Sequence, residues 1–364
     1  MRQFLRFQVI LLLVAGCSTG EALLAQNFND KSPVKGEEAP TFLFRLYEDN
    51  DFINIRGLGT DDAYTNGTRL DLFYTKKQPG RRGLYRLLPK AGENSTDTYG
   101  WGLMQLMFTP RDISQAAYQP DDYPYSGALV VTHTLYSYNP VEKFDWQTEL
   151  VAGVIGPASL AAQTQRIVHK LIHYQRPMGW DHQFRNDLLL NINMTAEKQV
   201  AAWGHTLEVI GGGQVFYGTM LNGVTFYPLI RIGKMTPYFQ GYSSQYSGKK
   251  WQFYFVIKPE AQIIFRNVML QGGMFTHNPN LGAGHAPAPK GHAATMATTT
   301  ATMTTATETS LPYRGLEHWV YSLNYGAVLS HGNFGISFIQ NTSSAMMKGL
   351  YSHEVGNISL YFSW

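Results

Sequence analysis

Short segments in which apolar and polar residues alternate, separated by turn residues, recur along almost the whole chain after residue 40. In residues 41–48, Phe42, Phe44 and Leu46 share one face, with Arg45 and Tyr47 among those opposite. In residues 65–76, Leu70, Leu72 and Tyr74 oppose Arg69, Asp71 and Thr75. Side chains of a strand alternate between its two faces, so each run reads as a strand with one apolar and one polar face. The same rhythm predicts strands over 99–108, 125–138, 144–155, 186–201, 205–218, 222–232, 253–266, 317–330, 334–341 and 355–364. That makes twelve strands of roughly the length and spacing of a membrane-spanning barrel. The last, Asn357 to Trp364, alternates and ends on an aromatic, as the terminal strand of an outer-membrane barrel does. An even count returns both termini to the periplasmic side, so connections after odd strands face outward: 49–64, 109–124, 156–185, the turn near 219, 267–316 and 342–354.

One segment departs from the two-residue period. Between 159 and 172, apolar Leu160, Ile167, Val168, Leu171 and Ile172 recur near helical spacing among Gln163, Arg166, His169 and Lys170. Gly156-Pro157 ends the preceding strand, and Pro suits a first helical turn. The expectation is an all-β, 12-stranded antiparallel transmembrane β-barrel with one short helix in an extracellular loop. That helix carries His169 over a site at the end of the barrel.

Composition supports this class. The chain has 364 residues, 35 Gly and 22 Tyr, and only 15% charged residues, which suits a β-rich chain better than a helical bundle. With 29 basic and 26 acidic residues and no basic run, nothing points to nucleic acid. The N-terminus reads as a signal peptide over 1–25: Arg2 and Arg6, then a short apolar core from Val9 to Ala15. Cleavage near Ala25 discards the sole cysteine. Val14-Ala15-Gly16-Cys17 alternatively reads as a lipoprotein signal. Residues 283–311 form an Ala/Thr/Met-rich, low-complexity outward loop, whose flanking His277, His285 and His292 match no metal spacing. The remainder, 41–364, has no room for a second domain. The expected unit is a monomer.

Polar groups that could do chemistry cluster at strand ends. Glu48-Asp49-Asn50-Asp51 closes the first strand and Asp61-Asp62-Ala63-Tyr64-Thr65-Asn66-Gly67 opens the second. Carboxylates, amide carbonyls and hydroxyls at one rim are oxygen ligands suited to a hard cation such as Ca²⁺; a solvated turn-forming loop has the same composition. His169 is a candidate base, with His173 and His182 as competitors. No Gly-x-Ser-x-Gly element suggests a serine hydrolase.

Several of these stretches together resemble a known family. Asn50-Asp51, Asp62 to Gly67, Phe108-Thr109-Pro110-Arg111-Asp112-Ile113, Pro120 to Gly127, Gly153-Val154-Ile155-Gly156-Pro157, His169-Lys170 and Gly179-Trp180-Asp181 occur in the order seen in the outer-membrane lipid A 3-O-deacylase family (LpxR type). The resemblance covers about residues 41–190. It implies Ca²⁺-dependent hydrolysis, at the outer leaflet of the bacterial outer membrane, of the ester holding the 3′-linked acyl (acyloxyacyl) chain of lipid A. Lipopolysaccharide and outer-membrane lipids are then the partners. By the resemblance His169 is the base, Asn50 and Asp51 lie near the metal, and Thr65 completes the site. The family's loop lysine has no counterpart, and Arg111 is the nearby cation for a lipid A phosphate. The family's glutamate falls on Gln175, which supplies no charge. A phospholipase A-like acyl hydrolase and a non-catalytic barrel or adhesin are the competing readings.

Overall fold

The computed structural model describes residues 42–55, 63–75, 87–246, 248–276 and 315–364. The signal peptide over 1–25, Cys17, Asp61, Asp62, the low-complexity loop 283–311 and its histidines lie outside the described residues. Twelve strands, each antiparallel to its neighbours, close into one barrel: β1 Phe42–Asn50, β2 Ala63–Thr75, β3 Thr96–Thr109, β4 Ser126–Asn139, β5 Phe144–Ile155, β6 Asp187–Trp203, β7 Leu207–Gly218, β8 Leu221–Lys234, β9 Gly248–Asn267, β10 Trp319–Gly332, β11 Phe334–Ser343 and β12 His353–Ser363. β1 pairs with β12 from Leu43↔Ser363 to Asn50↔Gly356, which leaves no open edge.

The polarity of the barrel is inside out. Phe44, Leu70, Leu72, Trp101, Leu103 and Val131 project outward and are exposed. Their strand neighbours turn inward, where Arg45 and Arg69 both grip Asp71 and Arg69 reaches Glu149 at 2.6 Å. Aromatics mark both ends of the wall. Phe42 stacks on Trp364 at 5.5 Å at one end, and Tyr217, Phe265 and Trp319 are exposed toward the other. An apolar outer band with aromatic girdles and a polar interior is the arrangement of a membrane-spanning barrel. No described helix is long and apolar enough to cross a membrane.

The lumen is occupied. The β8–β9 connection runs across it through a short helical turn, Tyr242–Tyr246. Tyr246 stacks on Tyr361 at 3.8 Å, Arg45 donates to Tyr242 Oη at 2.7 Å, and Tyr238 donates to Glu197 at 2.6 Å. At the outward mouth an apolar cluster joins Leu106, Phe108, Ala128 and Val151 to Val268, Met269 and Leu270. The last three belong to another short turn, Val268–Gln271, tied across the mouth by the bond from Ser126 Oγ to Met269 O, 2.7 Å.

The loop helix, α1, spans Ala161–Leu171. Pro157 does not start it, contrary to expectation. Pro157–Ser159 forms a separate 3₁₀ turn, and Leu160, at φ 61°, reverses the chain before α1 begins. The left-handed conformation of Leu160 costs roughly 1–2 kcal/mol, and it lets the helix turn back onto the wall. The barrel also carries the two further helical turns just named, so the expectation of one helix describes the outer loop after β5 and not the whole connection set.

Candidate active site

Strand register places the polar end groups on the outward face of the wall. Inward Arg69 and Asp71 fix the parity of β2, so Thr68 and Asn66 face outward, and their partners Glu48 and Asn50 do too. Asn66 Nδ2 donates to Glu48 Oε1 and to Asp49 O, the latter at 3.0 Å. Thr68 Oγ1 donates to Glu48 Oε2 at 2.7 Å. The row continues from Thr68 to Gln105 on β3. Gln105 Nε2 in turn donates to Ser159 O at 2.7 Å, tethering the turn before α1. A polar row thus interrupts the apolar outward face formed by Phe44, Leu70, Leu72 and Leu103. Glu48 and Asn66 belong to the clusters seen in the sequence. Thr68 and Gln105 lie mid-strand, and only the register brings them to the site.

A second row, one step toward the rim, runs Asn50↔Asn66↔Met107↔Gly127. It ends beneath α1: a Cβ on Gly127 would overlap Ala161 Cβ and stand 2.6 Å from Ser159 Oγ. Only glycine lets the helix come this close. Met107, Tyr125, Ile113 and Trp180 pack with Ala161 and Ala162 in one buried cluster. Trp180 comes from a 3₁₀ turn, Gly179–His182, and donates from Nε1 to Gln165 Oε1 at 2.6 Å. Met178 N donates to Ile113 O at 2.8 Å, joining the loops before β4 and after α1.

The face of α1 against the wall carries Ala161, Ala162, Gln165 and His169, all buried. Steps of four residues keep Ala161, Gln165 and His169 on that one face. His169 Nδ1 lies 2.6 Å from the backbone carbonyl of Gln175. A carbonyl only accepts, so Nδ1 carries the proton and the ring lone pair lies on Nε2. Tyr174 packs edge-on against the ring at 5.1 Å. Gln175, uncharged in its side chain, orients the histidine through its main chain, a role any residue there would fill.

Asn50, Asp51 and Thr65 come together at the β1–β2 rim. Asp51 N donates to Thr65 O at 3.3 Å, and Asn50 Oδ1 accepts from Phe52 N at 2.8 Å. Asp51 is 3% exposed and Thr65 1%. Thr65 sits at a bulge between Tyr64 and Asn66, its Oγ1 2.7 Å from Thr109 Oγ1. Thr109, at the end of β3, lies in a stretch that carries the family resemblance, but the sequence alone assigns it no role at this rim. Among the described residues no three His, Cys, Asp or Glu side chains converge as a metal cage. The donors present are nevertheless all oxygen: one buried carboxylate, an amide and a hydroxyl, with main-chain carbonyls beside them. That chemistry suits a hard cation and not zinc.

Arg111 stands apart from this rim. Its guanidinium lies 3.7 Å over the Tyr351 ring, and the main-chain N–H of Arg111 donates to Asp122 Oδ2 at 3.0 Å. Asp112 beside it accepts from Ser114 Oγ and Gln115 Nε2, bonds that hold its carboxyl below the usual range and shape the loop. His173 and His182 are outside the buried face of α1. His182 packs near Tyr118 at 5.9 Å.

A cavity of 470 Å³ lies on the other side of the wall, inside the lumen, where Arg45, Asp49, Tyr64, Lys258 and Tyr361 are among its lining residues. Asp49 there is engaged by Tyr47 at 2.6 Å, Tyr64 at 3.1 Å and Asn357 at 3.0 Å. An acyl chain entering this polar interior would strip hydration from groups it cannot replace. A lipid ester therefore has better access to the outward-facing rows.

Comparison with known proteins agrees with this fold. The family model described as "Outer membrane protein LpxR" matches residues 9–288. Among solved structures, LpxR from Salmonella typhimurium superposes with a TM-score of 0.64 at 14% identity, covering 88% of this chain and 100% of that one. The translocator domain of the autotransporter NalP from Neisseria meningitidis reaches a TM-score of only 0.42 at 8% identity, covering 98% and 99% of the two chains. That likeness carries no functional argument. No curated protein matches the sequence. With most of the chain matched by one family and the twelve-stranded barrel shared with its Salmonella member, the chain belongs to the outer membrane protein LpxR family and resides in the bacterial outer membrane.

Proposed function

We propose that this protein is a lipid A 3-O-deacylase that hydrolyses the ester of the 3′-linked acyl (acyloxyacyl) chain at the outer leaflet. The observation that carries the reading is His169, buried on the wall side of α1 with Nδ1 held by the Gln175 carbonyl. It stands over strands whose outward face carries the polar row Glu48–Thr68–Gln105. Nε2 takes a proton from water as that water attacks the ester carbonyl, and returns it to the leaving alcohol. The fixed ring orientation means little reorganisation precedes the transfer. Asp51, Asn50 and Thr65 would hold Ca²⁺, with Asp51 supplying the charge. When bound, the ion supplies positive charge for the developing oxyanion. Arg111, steadied on Tyr351, is placed to meet a lipid A phosphate from the neighbouring loop. A protein acting alone as a monomer suffices for this reading, since every named group comes from one chain.

Two features support an enzyme over a passive pore: the segment Tyr238–Tyr246 crosses the lumen, and the polar rows face outward. The test is mass spectrometry of lipid A from cells expressing the wild type or His169→Ala, with and without a chelator. Loss of one 3′-linked acyl mass only with the wild type and available Ca²⁺ is the expected result. Unaltered lipid A in every sample, with the barrel folded in the membrane, would reject the reading.

A further inference from the structure

Helix α1 is inside out in the same sense as the barrel. Its buried face carries Ala161, Ala162, Gln165 and His169, which are small or polar. Its apolar stripe points away from the protein: Ile167 is 60% exposed and Leu171 72%, and Leu160, in the turn just before the helix, is 52% exposed. Ile167 and Leu171 are four residues apart, the spacing of one helical face. Val168 flanks the stripe and is also exposed. In water a helix turns its apolar stripe toward the protein core, and a solvated stripe of this kind is unfavourable.

The place of the helix supplies the missing partner. α1 rests on Met107 and Gly127, whose strand neighbours Leu103, Trp101 and Val131 face outward and are exposed. It covers the outer wall near the rim, so its far face points sideways, in continuity with the lipid-facing band. Arg166 and Lys170 stand on one flank of the stripe, where anionic headgroups would meet them.

We propose that α1 is an interfacial helix, with Ile167 and Leu171, and Leu160 in the turn before it, immersed in the acyl region of the outer leaflet and Arg166 and Lys170 at the headgroups. His169 is then held between barrel and bilayer, and lipid can reach it laterally without leaving the membrane. This inference rests on the membrane location of the barrel and not on the deacylase reading.

Cys17 is the only cysteine in the chain, so a Cys17→Ser background permits specific labelling. Ile167→Cys and Leu171→Cys would each carry an environment-sensitive fluorophore in the full-length barrel. The barrel is reconstituted in phosphatidylethanolamine–phosphatidylglycerol vesicles. Lipids bearing a nitroxide high on the acyl chain should quench both probes, while aqueous iodide leaves them unchanged. Gln163→Cys, nearer the basic flank, should respond less to the nitroxide. Iodide quenching at 167 and 171 without lipid quenching would overturn the proposal, placing the stripe in water. Quenching by neither agent would also overturn it, placing the stripe under another part of the chain. None of these readouts depends on catalysis.

Discussion

Two polar clusters stand back to back on the wall that begins at β1, one on each of its faces. Inside, Arg45, Asp71, Arg69, Glu149 and Asn193 form a continuous chain of ion pairs and hydrogen bonds that links β1, β2, β5 and β6. Outside, Glu48, Thr68, Asn66 and Gln105 lie on a face whose other members are Phe44, Leu70, Leu72 and Leu103. Polar residues are ordinary inside such a barrel and costly on its lipid face. The inner cluster therefore explains itself as structure, and the outer one needs a function. The residues α1 lays against the wall sharpen this contrast, for they include His169, whose tautomer is fixed by a main-chain carbonyl.

The comparison breaks first at His169. His169→Ala should lower deacylation by about 10²–10⁴-fold, the usual worth of a positioned base. Folding should be intact, read as unchanged heat-modifiable migration of the barrel. An equally inactive protein that is also unfolded would move His169 to the structural side. The inner cluster should behave oppositely. Asp71→Asn removes the anion shared by two arginines and should cost about 3–5 kcal/mol of barrel stability in denaturant titrations, as breaking a buried pair does. Deacylation per folded molecule should stay near wild type; a specific loss of activity there would tie the two faces together.

Gly127→Val should lift α1 from the wall by pressing on Ala161 and Ser159, while leaving His169, Asn50, Asp51 and Thr65 unsubstituted. A misplacement of about 1 Å is worth on the order of 10²-fold in rate, and strand content by circular dichroism should be unchanged. Full activity would mean that the seating of the helix is unimportant. The smallest effect is expected of Trp180→Phe, which loses the bond to Gln165 and keeps a smaller aromatic ring against Tyr125. About 1 kcal/mol of helix seating should go with it, read as a roughly five-fold loss of activity.

Much of this was legible in the chain. Alternation is a local property, so β1, β2 and β12 could be found from Phe42, Phe44 and Leu46, from Leu70 and Leu72, and from the aromatic C-terminus. Strand ends were less so. β9 begins at Gly248, before its apolar run at Phe253, because pairing with β10 extends the ladder past the pattern. At the site, Asn50, Asp51, Thr65 and His169 were named from the sequence, whereas Gln105, the pairing of Thr109 with Thr65 and the seating role of Gly127 were not. A lone glutamine within a strand carries no local signal.

The sequence by itself determined twelve strands, one helix in the outer loop after β5, and a histidine on that helix, because side-chain period follows from backbone geometry alone. Tertiary structure decided which face of each strand meets lipid at the rim, and that α1 turns its polar face inward and its apolar stripe out. Those choices depend on barrel closure and register, which pair residues tens of positions apart such as Asn66 with Met107 and Met107 with Gly127. The apolar pattern of a segment fixes that it has a face, and only its surroundings fix where that face points.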